Sequence, residues 1–423
     1  MKSEIIKNLS VDTSKSYQTP ERIDRRASQI DADSTDTELE TPIEKNAPGF
    51  FSAGFGSFFS MSGSSSLWGT PKKETRSLPP KLFSDLSSDT EESLVEEDIE
   101  EHSEVKELLK KIKGYAKRWS SRAAVKKYDS SEDSLPPFDL KADDFLEQLL
   151  PFHKHPLYLA APDKIKKEIL TSAWIIYNKK TIAIETDVVS PACVDIINGK
   201  VPGLTDRHSK KLASESMTDE SFHTTLVLEA IGITEEQRNI FVEFPSFSLV
   251  RNLKKEQDQY SDPRKKMLVL LATAIVSEIF ISDYLKLISE STTIQKINQR
   301  VVAAHRADEL THSKIFKTFA KALYLGLNLE EKAFFAEVLS KPIYWFADKE
   351  LDAWEKVLDG MGFVGSKQLI SDCKKEDPYH LGYIDYTELE SLADELGIEN
   401  FRETLHRKEV TQEIEPEVFR FTL

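Results

Sequence analysis

The sequence predicts an all-α protein centred on four long helices. Three observations carry that prediction. Apolar residues recur at helical spacing through long stretches with few strand signals. The helices so defined hold Glu and His in an order that has a use only if they face one another. The chain ahead of them is rich in Ser, Thr, Asp and Glu with no sustained apolar period. Residues 1–101 therefore cannot bury enough surface to order and read as a disordered acidic tail.

Within that tail Pro48 to Trp68 sets Phe50, Phe51, Phe55, Phe58 and Phe59 among Gly and Ser. This is the composition of a motif that docks on a partner or on the protein's own body, and equally of a low-complexity stretch without a role. One folded domain is expected over residues 102–400, followed by a C-terminal extension, 401–423. From Glu104 onward Val105, Leu108, Leu109, Ile112 and Tyr115 mark a helix that continues to Val125, and Asp129 to Pro137 reads as a loop. The four long helices are Asp163 to about Val188, Asp206 to about Ile231, Asp262-Pro263 to about Ser289, and Thr292 to about Tyr324. Pro263 suits a first helical position, where its missing N–H costs nothing. Shorter helices are expected over Leu329 to Leu339, Tyr344 to Leu358 and Tyr386 to Leu396.

A net charge of −16 and a pI near 5.2 disfavour nucleic acid or an anionic membrane as a partner of the whole chain. The charge is uneven: acid gathers over Glu91 to Glu101 and base over Lys106 to Lys127, which reads first as a solvated face and only second as a site for anionic partners. Cys193 and Cys373 are too few for a disulfide framework or a thiolate zinc site, so a reducing compartment fits best. With no apolar leader at Met1 to Ser10 and no uninterrupted bilayer-length run, a soluble, cytoplasmic protein without a membrane span is expected.

With 72 acids and 9 His in 423 residues, chance alone yields about one or two acid-x-x-His pairs, so a lone pair carries no information. Asp377/His380 is interrupted by Pro378, and Glu403/His406 lies in a polar terminal stretch, so both read as accidents. The remaining two gain meaning from their order with two further acids. Glu185, then Glu220-x-x-His223, then Glu278, then Glu309-x-x-His312 places one element on each long helix, which is the ferritin-like di-iron arrangement. Residues three apart share a helical face, so each Glu/His pair can serve one metal pair. Glu278 sits in Met267-Leu-Val-Leu-Leu-Ala-Thr-Ala-Ile-Val-Ser-Glu-Ile-Phe-Ile281, where an unpaired carboxylate would be costly. Asp219 and Asp308, each one residue ahead of a Glu-x-x-His, are turned about 100° from it and would meet an imidazole on a neighbouring helix. His305 precedes Glu309 by four and His312 by seven, on one stripe, a third ligand for which a ferritin-type site has no use.

With these residues in place the chain resembles the para-aminobenzoate N-oxygenase family, which includes chloramphenicol-pathway arylamine oxygenases. The family pattern, as the resemblance implies, is a lone Glu, a Glu-x-x-His, a lone Glu and a His-x-x-x-Glu-x-x-His, met here by Glu185, Glu220/His223, Glu278 and His305/Glu309/His312. Arg118-Trp-Ser-Ser-Arg-Ala-Ala-Val125 and Leu150-Pro-Phe-His-Lys-His-Pro-Leu-Tyr158 also look like the family's entry region, and the likeness covers about Glu104 to Leu396. The resemblance implies a ferritin-like four-helix bundle with additional helices and two iron ions, O2 as co-substrate and an external electron-donor reductase. It implies oxidation of a small amine to a hydroxylamine, nitroso or nitro product. It makes Glu220 and Glu309 the bridging carboxylates and Glu185 and Glu278 terminal ligands, with His305 adding nitrogen donation to one iron. A homodimer is left open. The competing readings are a di-iron oxygenase or oxidase acting at C–H bonds, and a non-enzymatic iron-binding protein. There is one departure. The resemblance implies an Arg for the carboxylate of an aminobenzoate in the C-terminal third, yet after His312 only Arg402, Arg407 and Arg420 occur, beyond the predicted helices.

Overall fold

Apolar faces at helical spacing have a single outlet in the folded chain, which is against other helices. The computed structural model describes residues 91–127, 135–244, 246–376, 385–399 and 401, all within one compact unit, and among these it is helical without a strand. The expected tail up to Thr90, its aromatic segment 48–68, the extension beyond Phe401, and the pairs Asp377/His380 and Glu403/His406 lie outside the described residues.

α1 runs over Glu91–Arg122 and so starts ahead of His102. A single-turn helix α2 (Pro156–Leu159) leads into α3 (Asp163–Ile184). The stretch expected to end near Val188 instead passes through a π-helical turn at Glu185–Val189 and continues as α4 (Ser190–Ile197). α5 (Arg207–Arg238) is capped by Asp206, whose carboxylate accepts from His208 N at 2.8 Å and Ser209 N at 3.3 Å. It outruns its expected end at Ile231 because Arg238 has a place to go. The guanidinium donates to the buried Asp144 at 2.9 and 3.0 Å and to the carbonyls of Leu140 and Ala142.

α7 (Pro263–Ser289) begins with Pro263 at the first position, and Asp262 accepts from Arg264 N at 2.8 Å. It packs along α8 (Lys296–Leu325). Thr292 and Thr293 precede α8 as loop, since Ile294 is engaged in a bridge with Asp143. Trp174 of α3, Phe280 of α7 and Phe316 of α8 are among the largest fully buried side chains. α7 has a window of mean hydropathy 1.8, long and apolar enough to cross a bilayer; that window is 88% buried, so its apolarity is that of a core helix.

Around this centre lie α6 (Ser248–Asp258), α9 (Leu329–Leu339), α10 (Lys341–Ala347), α11 (Leu351–Gly360), α12 (Ser366–Glu376) and α13 (Thr387–Glu395). The single helix expected over Tyr344 to Leu358 is two helices, α10 and α11. They part at Glu350, which takes a left-handed backbone at φ 53° and uses its carboxylate to cap α6, accepting from Ser248 N at 2.9 and 3.1 Å.

Candidate metal centre

α3, α5, α7 and α8 converge on a buried volume into which each delivers carboxylate or imidazole groups. Glu185 opens the π-helical turn after α3, Glu220 and His223 share one face of α5, Glu278 sits on α7, and His305, Glu309 and His312 follow one stripe of α8. All seven are buried. They fall into two groups of four, Glu185/His223/His305/Glu309 and Glu220/Glu278/Glu309/His312, with the ligand atoms of each group within 4.8 Å of one another. Glu309 belongs to both. Its Oε1 lies 3.1 Å from His305 Nε2, 3.2 Å from His223 Nδ1 and 3.4 Å from His312 Nδ1. Glu220 also reaches two imidazoles, with Oε2 3.0 Å from His223 Nδ1 and Oε1 3.0 Å from His312 Nδ1.

The other nitrogen of each Glu-x-x-His imidazole points away from these carboxylates and meets an Asp from the opposite helix. His223 Nε2 lies 3.3 Å from Asp308 Oδ2, and His312 Nε2 lies 3.1 Å from Asp219 Oδ2. The exchange is reciprocal: α5 orients the imidazole of α8, and α8 that of α5. Donation from Nε2 turns each Nδ1 toward the cluster, where it is the atom free to ligate once its proton is lost.

The end of α1 holds these two Asp in turn. Trp119 Nε1 donates to both oxygens of Asp219 at 2.9 and 3.0 Å, and Ala124 N donates to both oxygens of Asp308 at 3.1 Å. Arg122 lies between, its guanidinium 3.6 Å from Asp308 and 4.0 Å from Asp219. Spacing within the bundle gives no signal for these residues; their trace in the sequence is the Arg118 to Val125 stretch set apart above. Replacing Asp219 or Asp308 with Asn is expected to weaken metal affinity by roughly 10- to 100-fold with an unchanged helical spectrum. Chelator-competition titration measures this, and wild-type affinity in both variants would make the Asp pair incidental.

Electrostatics divide the cluster. Burial, reinforced by the charge of Glu220, pushes the Glu185 carboxyl well above the usual range, and burial with the charges of Glu309 and Glu220 does the same to Glu278. Burial opposes ionisation of Glu220 and Glu309 too, but His312 and the other imidazoles outweigh it, so Glu220 falls to about 2 and Glu309 is held well below its ordinary value. Burial and His305 work against protonation of His223, yet hydrogen bonds to Asp308 and Glu220 raise it to about 9. His312 rises well above its usual range because the charges of Glu220 and Glu309 overcome burial. Cys193 stands close by as a neutral thiol, pushed well up by burial and then by Glu220.

The donor set passes a test for a metal pair. Glu185 Oε2, Glu278 Oε2 and Glu309 Oε2 are buried without a hydrogen-bond partner. Orphaned carboxyl oxygens in a dry interior are expensive unless a cation satisfies them, and a carboxylate and imidazole set suits first-row transition ions.

The sequence pattern of the family described as p-aminobenzoate N-oxygenase AurF matches residues 110–397. The chain belongs to that family. It is also 28% identical, over 284 residues, to a 4-aminobenzoate N-oxygenase of Streptomyces thioluteus, an alignment covering 67% of this chain and 84% of that protein. The fold, the family and the oxidoreductase class expected from the sequence agree with these findings. The AurF-family match begins inside α1 and closes after α13, so it takes in every side chain of the cluster and the Trp119 to Ala124 clamp.

Beside the cluster lies a largely apolar cavity of about 120 Å³ between α3, α7 and α10. Thr181 and Ile184 line it within one turn of Glu185, and Ile281 within one turn of Glu278. Tyr177 and Tyr284 supply its aromatic walls, and Lys180, Lys349 and Glu350 its charged end.

Proposed function

We propose that this protein is a di-iron, O2-dependent N-oxygenase of aromatic amines. The observation that carries the reading is the pair of four-residue groups sharing Glu309, with three imidazoles and four carboxylates, of which Glu185, Glu278 and Glu309 each keep an oxygen without a hydrogen-bond partner. Glu185, His223, His305 and Glu309 would hold one iron, and Glu220, Glu278, Glu309 and His312 the other. Glu220 and Glu309 each reach imidazoles of both groups, which suits them to bridge. The bound pair supplies the O2-activating redox chemistry. The chain's own part is positional: Asp308 and Asp219 fix the two Glu-x-x-His rings, and His305 adds a neutral donor between Glu185 and Glu309, 3.3 and 3.1 Å away.

The amine would enter the adjoining cavity, its ring against Tyr177, Ile176 and Phe346 and its nitrogen toward Ile184, nearest the cluster. In place of an Arg, the cavity offers Lys180 and Lys349 at its far end. Lys180 Nζ already donates to the carbonyls of Phe346 and Asp348 at 3.0 and 3.2 Å, so the polar end is pre-ordered for a neutral or weakly anionic substituent. Apolar walls keep water from the reacting nitrogen.

Metal analysis of iron-reconstituted protein is expected to give two irons per chain, with O2 uptake that depends on an added arylamine and yields its hydroxylamine or more oxidised products. One ion or none per chain would overturn the di-iron reading. Two ions with amine-independent O2 uptake would overturn the N-oxygenase reading alone.

A further inference from the structure

A protein of net charge −16 concentrates positive charge in one place. From Leu108 to Lys127 there is no Asp or Glu, and Lys110, Lys113, Lys117, Arg118, Lys126 and Lys127 are exposed. Lys110, Lys113 and Lys117 recur at helical spacing on the face of α1 opposite the buried Ile112 and Ala116, so they form a stripe rather than scattered charges. Among the described residues Lys110 pairs with Glu107 at 3.5 Å, while Lys113, Lys117 and Lys127 form no ion pair. The stripe ends at Trp119. That indole is half-buried, with Lys126 Nζ 4.8 Å above its ring, and on its inner side it donates to Asp219, which in turn meets His312. A continuous chain of hydrogen-bonded groups thus runs from the basic face to the cluster, Trp119 to Asp219 to His312.

We infer that the basic C-terminal half of α1 is the docking face for an acidic one-electron carrier protein, and that Trp119, Asp219 and His312 form the route by which its electrons reach the metal centre. The inference rests on the di-iron reading above. Oxygenation of an amine to a hydroxylamine by O2, with water as the second product, consumes two electrons and two protons. Two successive carriers, each leaving one electron poorer, supply the electrons, and solvent supplies the protons. Charge complementarity selects the occupant: the local positive stripe attracts a compact acidic partner to one spot, while the acidic remainder of two copies of this chain repels their pairing. A redox partner gains from that spot because a half-buried indole hydrogen-bonded toward the cluster stands there.

The probe is a plant-type [2Fe–2S] ferredoxin, and the protein is used as the full chain. Binding is measured first on metal-free protein, which keeps this arm independent of iron loading. Affinity is expected to fall as salt rises, and the triple variant Lys113→Glu/Lys117→Glu/Lys127→Glu is expected to lose roughly 10- to 100-fold in association rate. On iron-loaded, oxidised protein under anaerobic conditions, reduction by reduced ferredoxin should slow by the same factor in the triple variant. Reduction by photoreduced deazariboflavin, small and uncharged, should not change, and iron content should stay at the wild-type level. Trp119→Phe keeps the ring but cannot donate to Asp219; it is expected to retain ferredoxin affinity and to slow electron delivery from the bound carrier. Equal ferredoxin binding in wild type and triple variant overturns the docking face. So does salt-independent or absent binding to the wild-type chain, the result expected if an acidic segment of the same chain or a second copy covers the stripe. Unchanged electron delivery in Trp119→Phe overturns the route. A chain that binds ferredoxin but no iron leaves the docking face standing and removes the di-iron reading instead.

Discussion

Replacing Glu309 with Ala is expected to abolish binding of both ions at once. Glu309 is the one side chain that belongs to both groups, and its Oε1 stands within 3.4 Å of all three imidazoles. Loss of Glu185 or Glu278 removes a ligand from one group, whereas loss of this one opens both. A ligand that binds only the folded state stabilises it by mass action, about 4 kcal/mol when present at a thousandfold excess over its dissociation constant. The wild-type protein should therefore melt on the order of 10 °C higher with iron than without. The variant should show no such difference and no amine-dependent turnover. Differential scanning calorimetry with paired iron analysis checks both, and a Glu309→Ala protein that still carries two irons would break the assignment of the shared ligand.

Loading the centre is expected to release protons, so that affinity for iron falls in acid. Without metal, Glu185 and Glu278 hold protons well above the ordinary carboxylate range, His223 holds its own up to about 9, and His312 is raised well above its usual value. Binding needs ionised carboxylates and neutral imidazoles, so each of these protons must leave. The stability of the metal-free protein runs the other way. A raised folded value means that the His223 contribution is fully present below about 6.5 and is lost as pH rises through about 9. Glu185 and Glu278 act in the same sense, since the folded state holds protons that the unfolded chain has released above 4.5. Metal-free protein should thus be less stable at pH 9 than at pH 6.5, while iron binds more tightly at pH 9. Isothermal calorimetry of metal binding in buffers of different ionisation enthalpy counts the protons. Release of none would mean that the carboxylates are already ionised and the imidazoles already neutral before metal arrives.

How much of this was legible in the sequence follows from the range over which each signal acts. The four long helices and the order of their Glu and His residues are periodic features of single segments, and periodicity survives folding, so Glu185, Glu220, His223, Glu278, His305, Glu309 and His312 are found on the bundle's inner faces. The reciprocal Asp219 and Asp308 could be anticipated because one residue of offset fixes a direction around a helix. What could not be read depends on a distant partner. α5 runs on to Arg238 because Asp144 receives it, and the break at Glu350 serves the start of α6 about a hundred residues away. Trp119, Arg122 and Ala124 acquire their role from carboxylates on α5 and α8, and no local pattern in α1 marks them for it. α6 and α12 are short and carry more charge than apolar surface, so their spacing is a weak sign.

The π-helical turn at Glu185–Val189 sets how far this segment can vary in length. A turn that closes one residue later than an α-turn absorbs an extra residue without breaking the backbone ladder, so the two halves of the helix keep independent angular phase. Upstream, Trp174 and Ile184 are keyed to the core, and downstream Val188, Ala192 and Ile196 are keyed to it separately. Deleting Thr186 would let the turn close as ordinary α-helix with both halves still keyed to the core, so the change would fall on the bulge itself and on the direction in which Glu185 reaches His305. A one-residue deletion here is therefore expected to cost the metal site more than the fold, whereas substitution at Thr186 and Asp187, both exposed, leaves the turn in place.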